Sequence, residues 1–353
     1  MRALERGDIS AECAVLMTAQ TGSVIFEKNA HRRHSMASTT KIMTSLLAVE
    51  SGKMQNEIKA TDKMVNVEGT SMGLSAGDSI SLLELCYGML LPSGNDAANT
   101  AALYLGGNVK IFAEMMNSRA AEIGMSDTNF VTPSGLDDEN HYSTAYDMAL
   151  LGREAVKNPQ FLKICSSSKA SVSFGSPAYE RTLYNHNRLL NSCDGVIGIK
   201  TGFTKKSGRC LVSCAEKDGV RLVAVTLNAP DDWNDHIKML DYGFEKVVSK
   251  DVKLPLPESV SVVGGENEVL NITSQKIGIE STAENVTYRV FLPRFIYAPV
   301  HTGDVVGRAE VYCGNILIDN VSVTAESDVK VKTAEKTEER KSVFEKLKEI
   351  IHD

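Results

Sequence analysis

At 353 residues the chain is about twice the length of a usual domain, so two domains are expected. Apolar residues make up 42% and charged residues 24%, with 9 Pro and 26 Gly, a balance that excludes a disordered or collagen-like chain. The 38 Lys and Arg against 45 Asp and Glu leave a formal charge of −7 without any basic block, which argues against nucleic acid as a partner.

From the N-terminus, residues 9–26 read as a hairpin: Cys13-Ala14-Val15-Leu16-Met17 leads into Gln20-Thr21-Gly22 and returns as Val24-Ile25-Phe26. A buried helix is expected over residues 39–50, with Ile42, Met43, Leu46, Leu47 and Val49 as its apolar side and Ser38 as its N-cap. A mostly helical stretch follows to about residue 156, with loops at 69–78, 92–96 and 130–143. Strands return at 195–200, 209–215 and 220–227, the last two joined by the hairpin turn Lys217-Asp218-Gly219. Residues 231–247 read as a helix whose apolar surface comes from Trp233, Ile237, Leu240, Tyr242 and Phe244. Strands at both ends with helices between them imply an α/β sandwich closed by its own termini.

Beyond residue 250 the pattern changes to short Val/Ile/Thr runs broken by Gly and Asn, as in a small all-β domain. The expected division is 1–249, a small β-sandwich at 250–328, and a charged linker with an amphipathic helix at 329–353. In that helix Val343, Phe344, Leu347, Ile350 and Ile351 share one face, which fits peripheral membrane contact slightly better than docking on protein.

The seven cysteines (Cys13, Cys86, Cys165, Cys193, Cys210, Cys214 and Cys313) are scattered and never spaced Cys-x-x-Cys, and no His-Glu-x-x-His occurs. Neither a metal site nor a cofactor is expected. Cys13 and Cys86 lie in apolar company, as core residues do. No run approaches the roughly 20 apolar residues of a membrane-crossing helix. The first eight residues, Met1-Arg2-Ala3-Leu4-Glu5-Arg6-Gly7-Asp8, lack the apolar core of a secretory leader.

Three short motifs carry chemistry together. In Ser38-Thr39-Thr40-Lys41 the two ends are one helical turn apart, so a desolvated Lys41 can take the proton of Ser38. Alone the spacing says little, because it recurs at Ser166-Ser167-Ser168-Lys169 and Ser327-Asp328-Val329-Lys330. Ser93-Gly94-Asn95 lies in a turn between apolar helices, where a hydroxyl can relay a proton and an amide can hold a substrate amide. Lys200-Thr201-Gly202 ends an apolar strand; its cation and hydroxyl suit a carboxylate, and Gly202 admits a substrate close to the backbone.

In this order and with their flanks, the three motifs resemble those of the penicillin-binding D-alanyl-D-alanine carboxypeptidases, serine peptidases of bacterial cell walls. The likeness extends to Ala37-Ser38-Thr39-Thr40-Lys41-Ile42-Met43-Thr44, Ser93-Gly94-Asn95-Asp96-Ala97-Ala98 and Gly198-Ile199-Lys200-Thr201-Gly202-Phe203-Thr204. It also takes in Gly135-Leu136-Asp137, Leu240-Asp241-Tyr242-Gly243-Phe244 and, further on, Ala298-Pro299-Val300, covering residues 9–325.

The resemblance implies a β-lactamase/DD-peptidase-like fold: an antiparallel sheet with helices on both faces, followed by the all-β domain. It implies that Ser38 attacks the penultimate D-Ala carbonyl of a peptidoglycan stem peptide ending in D-Ala-D-Ala, with Lys41 as base and Ser93 as proton relay. Asn95 would hold the substrate amide and Lys200 and Thr201 its carboxylate. Gly202 would give room, and the N–H groups of Ser38 and Phe203 would form an oxyanion hole. β-Lactams would be covalent inhibitors. Such a substrate implies an extracytoplasmic, envelope location, and hence a leader preceding this chain. Residues 130–143 lack the Glu-x-x-x-Asn setting of a class A β-lactamase. A DD-endopeptidase would use the same residues, and a non-catalytic wall-binding protein of the same fold is the rival from another class.

Overall fold

The N-terminal apolar run forms β1 (Cys13–Thr18), all six of whose residues are buried. Cys13, Val15 and Met17 enter one core while Ala14 and Leu16 enter another, as the two-residue period of a strand dictates. The chain turns into β2 (Val24–Lys28), passes through a tight 3-10 turn at Ala37–Thr40, and enters the buried helix α1 (Lys41–Glu50). The structure, a computed structural model, describes residues 3–333, so the expected helix around Val343 to Ile351 lies outside the described residues.

After α1 come β3 (Glu57–Lys59), α2 (Asp62–Val65), β4 (Ser79–Ser81), α3 (Leu82–Leu90), α4 (Asn95–Gly106) and α5 (Val109–Ile123). Next are α6 (Ala145–Ala155), α7 (Pro159–Cys165), β5 (Lys169–Gly175), β6 (Ala178–Tyr184) and α8 (Leu189–Ser192). The unit closes with β7 (Val196–Thr204), β8 (Gly208–Lys217), β9 (Val220–Leu227) and α9 (Asp232–Lys246). The main sheet has the order β2-β1-β9-β8-β7 and is antiparallel throughout, so the N-terminal hairpin is completed by strands some 200 residues later. Helix α6 packs on one face of this sheet and α9 on the other. This is the antiparallel sheet with helices on both faces that the resemblance implies.

The sequence reading treats the stretch up to residue 156 as helices and loops, whereas β3 and β4 lie within it and join β5 and β6, beyond it, in a second, four-stranded sheet. Two of its strands have three residues each, too short for alternation to show, and one central residue apiece, Ile58 and Ile80, is buried.

Following β10 (Ser249–Val252), the second unit contains β11 (Ser259–Val263), β12 (Val269–Ser274), β13 (Ile277–Glu280) up to Ile279, β14 (Val286–Phe291), β15 (Phe295–Tyr297), β16 (Val305–Cys313) and β17 (Ile316–Ala325). Its six-stranded sheet has the order β14-β16-β17-β12-β11-β15, with Val260, Val262, Leu270, Ile272, Ala309, Val311 and Val323 buried on it. The described chain divides after Lys250, except that Glu280–Ala283 belongs to the first unit.

Candidate active site

Ser38 is not the N-cap that its position before the helix suggests. It sits inside the 3-10 turn, and no side chain caps the start of α1. Two features force this turn into shape. Ala37 holds φ at +46°, a left-handed conformation that costs a non-glycine residue energy and concentrates at functional sites. Gly135, at φ +86°, presses so closely from the loop before α6 that a Cβ there would lie 1.8 Å from the Ala37 carbonyl oxygen.

Lys41, fully buried at the head of α1, points back under the turn. Its Nζ lies 2.8 Å from Ser38 Oγ, 2.7 Å from Asn95 Oδ1 and 2.7 Å from the Ser134 carbonyl oxygen. Burial first, and then the neighbouring charge of Lys200, hold the Lys41 pKa well below its ordinary value. A neutral amine has two N–H donors and one lone pair. The two carbonyl oxygens can only accept, so they take the two N–H bonds and the lone pair is left facing the Ser38 hydroxyl. The arrangement can therefore accept the serine proton.

Asn95 opens α4, next to the turn carrying Ser93, whose φ of +67° is again left-handed. Asp96, 1% exposed, accepts hydrogen bonds from the backbone N–H groups of Met72, Gly73 and Leu74 and from the Ser71 hydroxyl. One buried carboxylate thus ties the loop before β4 to the start of α4. The Asn95 amide is committed on both sides, its oxygen to Lys41 and its nitrogen to the Glu68 carbonyl at 2.7 Å. It is 5% exposed, and its oxygen helps to hold Lys41 in position.

Strand β7 is the edge of the main sheet and lies against the serine turn. A Cβ on Gly202 would be 3.0 Å from the Ser38 backbone nitrogen, which explains why the tightest approach falls on glycine. Lys200 is 1% exposed, its Nζ donates to the Thr201 carbonyl at 2.9 Å, and burial pulls its pKa down to about 7. It therefore lies beneath the site surface, near enough to Lys41 for its charge to help lower the Lys41 pKa.

A cleft of about 560 Å³ is lined by Ser38, Thr70, Ser93, Thr201, Gly202 and Phe203. Its wall continues through Asn185, His186, Arg188, Arg209, Asp232 and Trp233, residues that no motif singled out. Arg209 lies opposite Phe203 across β7 and β8, and its guanidinium is held by Asp232 through contacts of 2.9 and 2.8 Å and reaches over the Trp233 ring. Asp232 is buried while the Arg209 side chain keeps 42% of its surface exposed, so the pair presents its positive side to the cleft. Ser93, Thr201, Gly202, Phe203 and Ser38 are thus brought to one surface, with Lys41, Asn95 and Lys200 buried behind them.

The buried amines make stability depend on pH in a defined way. Between about pH 7 and 10.5 an unfolded chain holds a proton on Lys200 that the folded chain has released, so stability rises with pH; Lys41 adds in the same direction. Above pH 9 the sign reverses, because burial raises the thiols of Cys13 to about 11 and of Cys210 and Cys214 to about 12, and pushes Cys86 and Cys165 up as well. Urea midpoints measured from pH 6 to 10.5 are expected to climb above pH 7 and turn over near pH 9. A steady decline from pH 7 would contradict the buried state of both lysines.

A family model described as D-alanyl-D-alanine carboxypeptidase matches residues 1–231, and one described as penicillin-binding protein 5, C-terminal domain, matches residues 242–331. The D-alanyl-D-alanine carboxypeptidase DacF of Bacillus subtilis is 31% identical over 340 residues, which is 91% of this chain and 86% of the relative. Among solved structures, the D-alanyl-D-alanine carboxypeptidase DacD from Francisella tularensis is 28% identical with a TM-score of 0.64, over 94% of this chain and 95% of that one. Penicillin-binding protein 5 from Haemophilus influenzae is 27% identical with a TM-score of 0.66, over 93% of this chain and all of that one.

Proposed function

The chain belongs to the D-alanyl-D-alanine carboxypeptidase family, and on that premise we propose that Ser38 is the nucleophile that removes the terminal D-Ala from peptidoglycan stem peptides ending in D-Ala-D-Ala. The observation that carries this reading is the buried Lys41 Nζ, 2.8 Å from Ser38 Oγ with the Asn95 and Ser134 carbonyl oxygens as its other two partners, in a setting where burial disfavours its charged form.

Ser38 Oγ bonds to the penultimate carbonyl carbon as its proton passes to Lys41 Nζ. The oxyanion is met by the backbone N–H groups of Ser38 and Phe203, each such donor being worth about 3–4 kcal/mol. The C–N bond to the terminal D-Ala then breaks, and the amine leaves with a proton relayed through Ser93. Water attacks the resulting ester, frees the shortened peptide and restores the Ser38 hydroxyl. A β-lactam enters the same cycle but remains attached after its ring opens, so such drugs are covalent inhibitors.

The substrate's terminal carboxylate meets the Thr201 hydroxyl and, at the surface, Arg209, with Lys200 adding positive potential from beneath. Thr201 and Phe203 are two residues apart on β7 and so share a face, and Arg209 is the cross-strand partner of Phe203. Arg209→Gln is expected to raise KM for a D-Ala-D-Ala peptide about tenfold or more while changing kcat less. An unchanged KM would return the carboxylate to Lys200 and Thr201 alone.

Such a substrate places the protein at the cell envelope. Among the described residues no helix is long and apolar enough to cross a membrane, and the peripheral contact proposed for the C-terminal segment concerns residues outside those described.

The test is intact mass with benzylpenicillin, followed over hours, beside an assay for released D-Ala. A persistent single adduct and D-Ala release, both absent from Ser38→Ala, are the expected results. An adduct that clears as drug is consumed would indicate a β-lactamase. Neither adduct nor release would point to a non-catalytic wall-binding protein, against which stands a site assembled from all three motifs.

A further inference from the structure

Behind the serine turn lies a buried histidine that the steps above do not use. His141 is 3% exposed and comes from the loop between α5 and α6. Its Nδ1 accepts the backbone N–H of Val131 at 2.9 Å, so in the neutral ring the remaining hydrogen is on Nε2. Nε2 lies 2.8 Å from Thr40 Oγ1, and Thr40 Oγ1 in turn donates its own hydrogen to the Ala37 carbonyl oxygen at 2.8 Å. Burial pulls the His141 pKa down to about 4, so this tautomer persists at neutral pH.

The end of this chain of bonds is what matters. The Ala37 carbonyl and the Ser38 N–H belong to one planar peptide group, so fixing the direction of the first fixes the direction of the second. A carbonyl that accepts a hydrogen bond also makes the N–H of its own peptide a stronger donor, and successive bonds reinforce one another. Ala37 needs such restraint, because its left-handed φ of +46° is not a conformation that alanine holds by itself.

We propose that His141 is a positioning residue that aims and polarises the Ser38 backbone N–H, acting through Thr40 and the Ala37 carbonyl. This rests on the reading of Ser38 as nucleophile and of its N–H as an oxyanion donor. His141 touches no substrate. Its effect is on the step in which negative charge develops, not on substrate affinity.

The test uses the whole protein and benzylpenicillin, separating the noncovalent Kd from the rate of acylation by rapid mixing and intact mass. Thr40→Val keeps the shape and removes the hydroxyl, Thr40→Ser keeps the hydroxyl, and His141→Phe removes the imidazole donor. Thr40→Val and His141→Phe are each expected to slow acylation about tenfold with Kd unchanged, and Thr40→Ser to stay within about twofold of wild type. Because His141 works through Thr40, the double variant Thr40→Val/His141→Phe should be no slower than Thr40→Val alone.

Losses that multiply in the double variant, a slow Thr40→Ser, or a change confined to Kd would each overturn the proposal. If His141→Phe does not fold, the contrast between Thr40→Val and Thr40→Ser still decides. A wild-type protein with no adduct on Ser38 is a different result, and brings down the underlying reading instead.

Discussion

Lys41→Met is expected to yield a folded protein whose acylation is slower by about three to four orders of magnitude, the loss of an adjacent general base. Met fills nearly the same buried space and removes a group whose charged form is disfavoured there, so the thermal midpoint should move by only a few degrees. Lys41→Arg is the informative companion. A guanidinium is never deprotonated in a protein and has no lone pair to take the serine proton, so this charge-conserving change should be as inactive as Met. If Lys41→Arg retained substantial acylation, the base would have to be elsewhere. Benzylpenicillin adduct formation, timed by intact mass, checks both variants.

The second large effect is expected from a methyl group. Gly135→Ala places a Cβ 1.8 Å from the Ala37 carbonyl oxygen at a residue whose φ is +86°. Neither atom belongs to a flexible side chain, so backbone must move, at a cost of about 3 kcal/mol or more. For a domain of this size that is a fall in Tm of roughly 6–12 °C. The movement lands on the peptide that carries the Ser38 N–H, so acylation should fall by about a hundredfold or more as well. Gly124→Ala separates the two contributions. Gly124 caps α5 at φ +90° with nothing within 4 Å of where its Cβ would be, so only the conformational cost of about 1 kcal/mol applies and acylation should be unaffected. Equal losses in both variants would show that the clash at Ala37 does not exist.

Much of this arrangement was legible in the sequence because it depends on local pattern. The β1–β2 hairpin, the α1 helix, the β8–β9 hairpin and α9 each follow from a run of apolar residues with a turn or cap at its ends. The three motifs were legible through their order along the chain and the residues that flank them, since the Ser-x-x-Lys spacing alone recurs at Ser166 and Ser327. What escaped was set by tertiary contact. Ser134 supplies a backbone carbonyl to Lys41, and no residue type announces that. Arg209 and Asp232 are 23 residues apart and meet only because β8 and α9 adjoin. His141 reads as one more polar residue in a loop until Val131 and Thr40 are seen on either side of its ring. Asn95 and Lys200 carry the right chemistry, yet the sequence does not reveal that both are buried and facing inward.

The position of β1 between β2 and β9 has a further consequence, for the order in which the molecule can be built. During synthesis the hairpin emerges well before β9, with one side of β1 unpaired, and roughly 200 residues must follow before β9 arrives to cover it. Until then a strand of six apolar or buried residues presents an open edge, the kind of surface that recruits strands from other chains. Closure across so long a loop is slow compared with helix formation, so the helices around α1 can form well before the sheet that brings β7 to the serine turn. The pocket is therefore among the last parts of the first unit to form, and a truncated or stalled product ending before Val220 would hold Ser38 and β7 without β9, the strand that joins β1 to β8 and so ties β7 into the sheet.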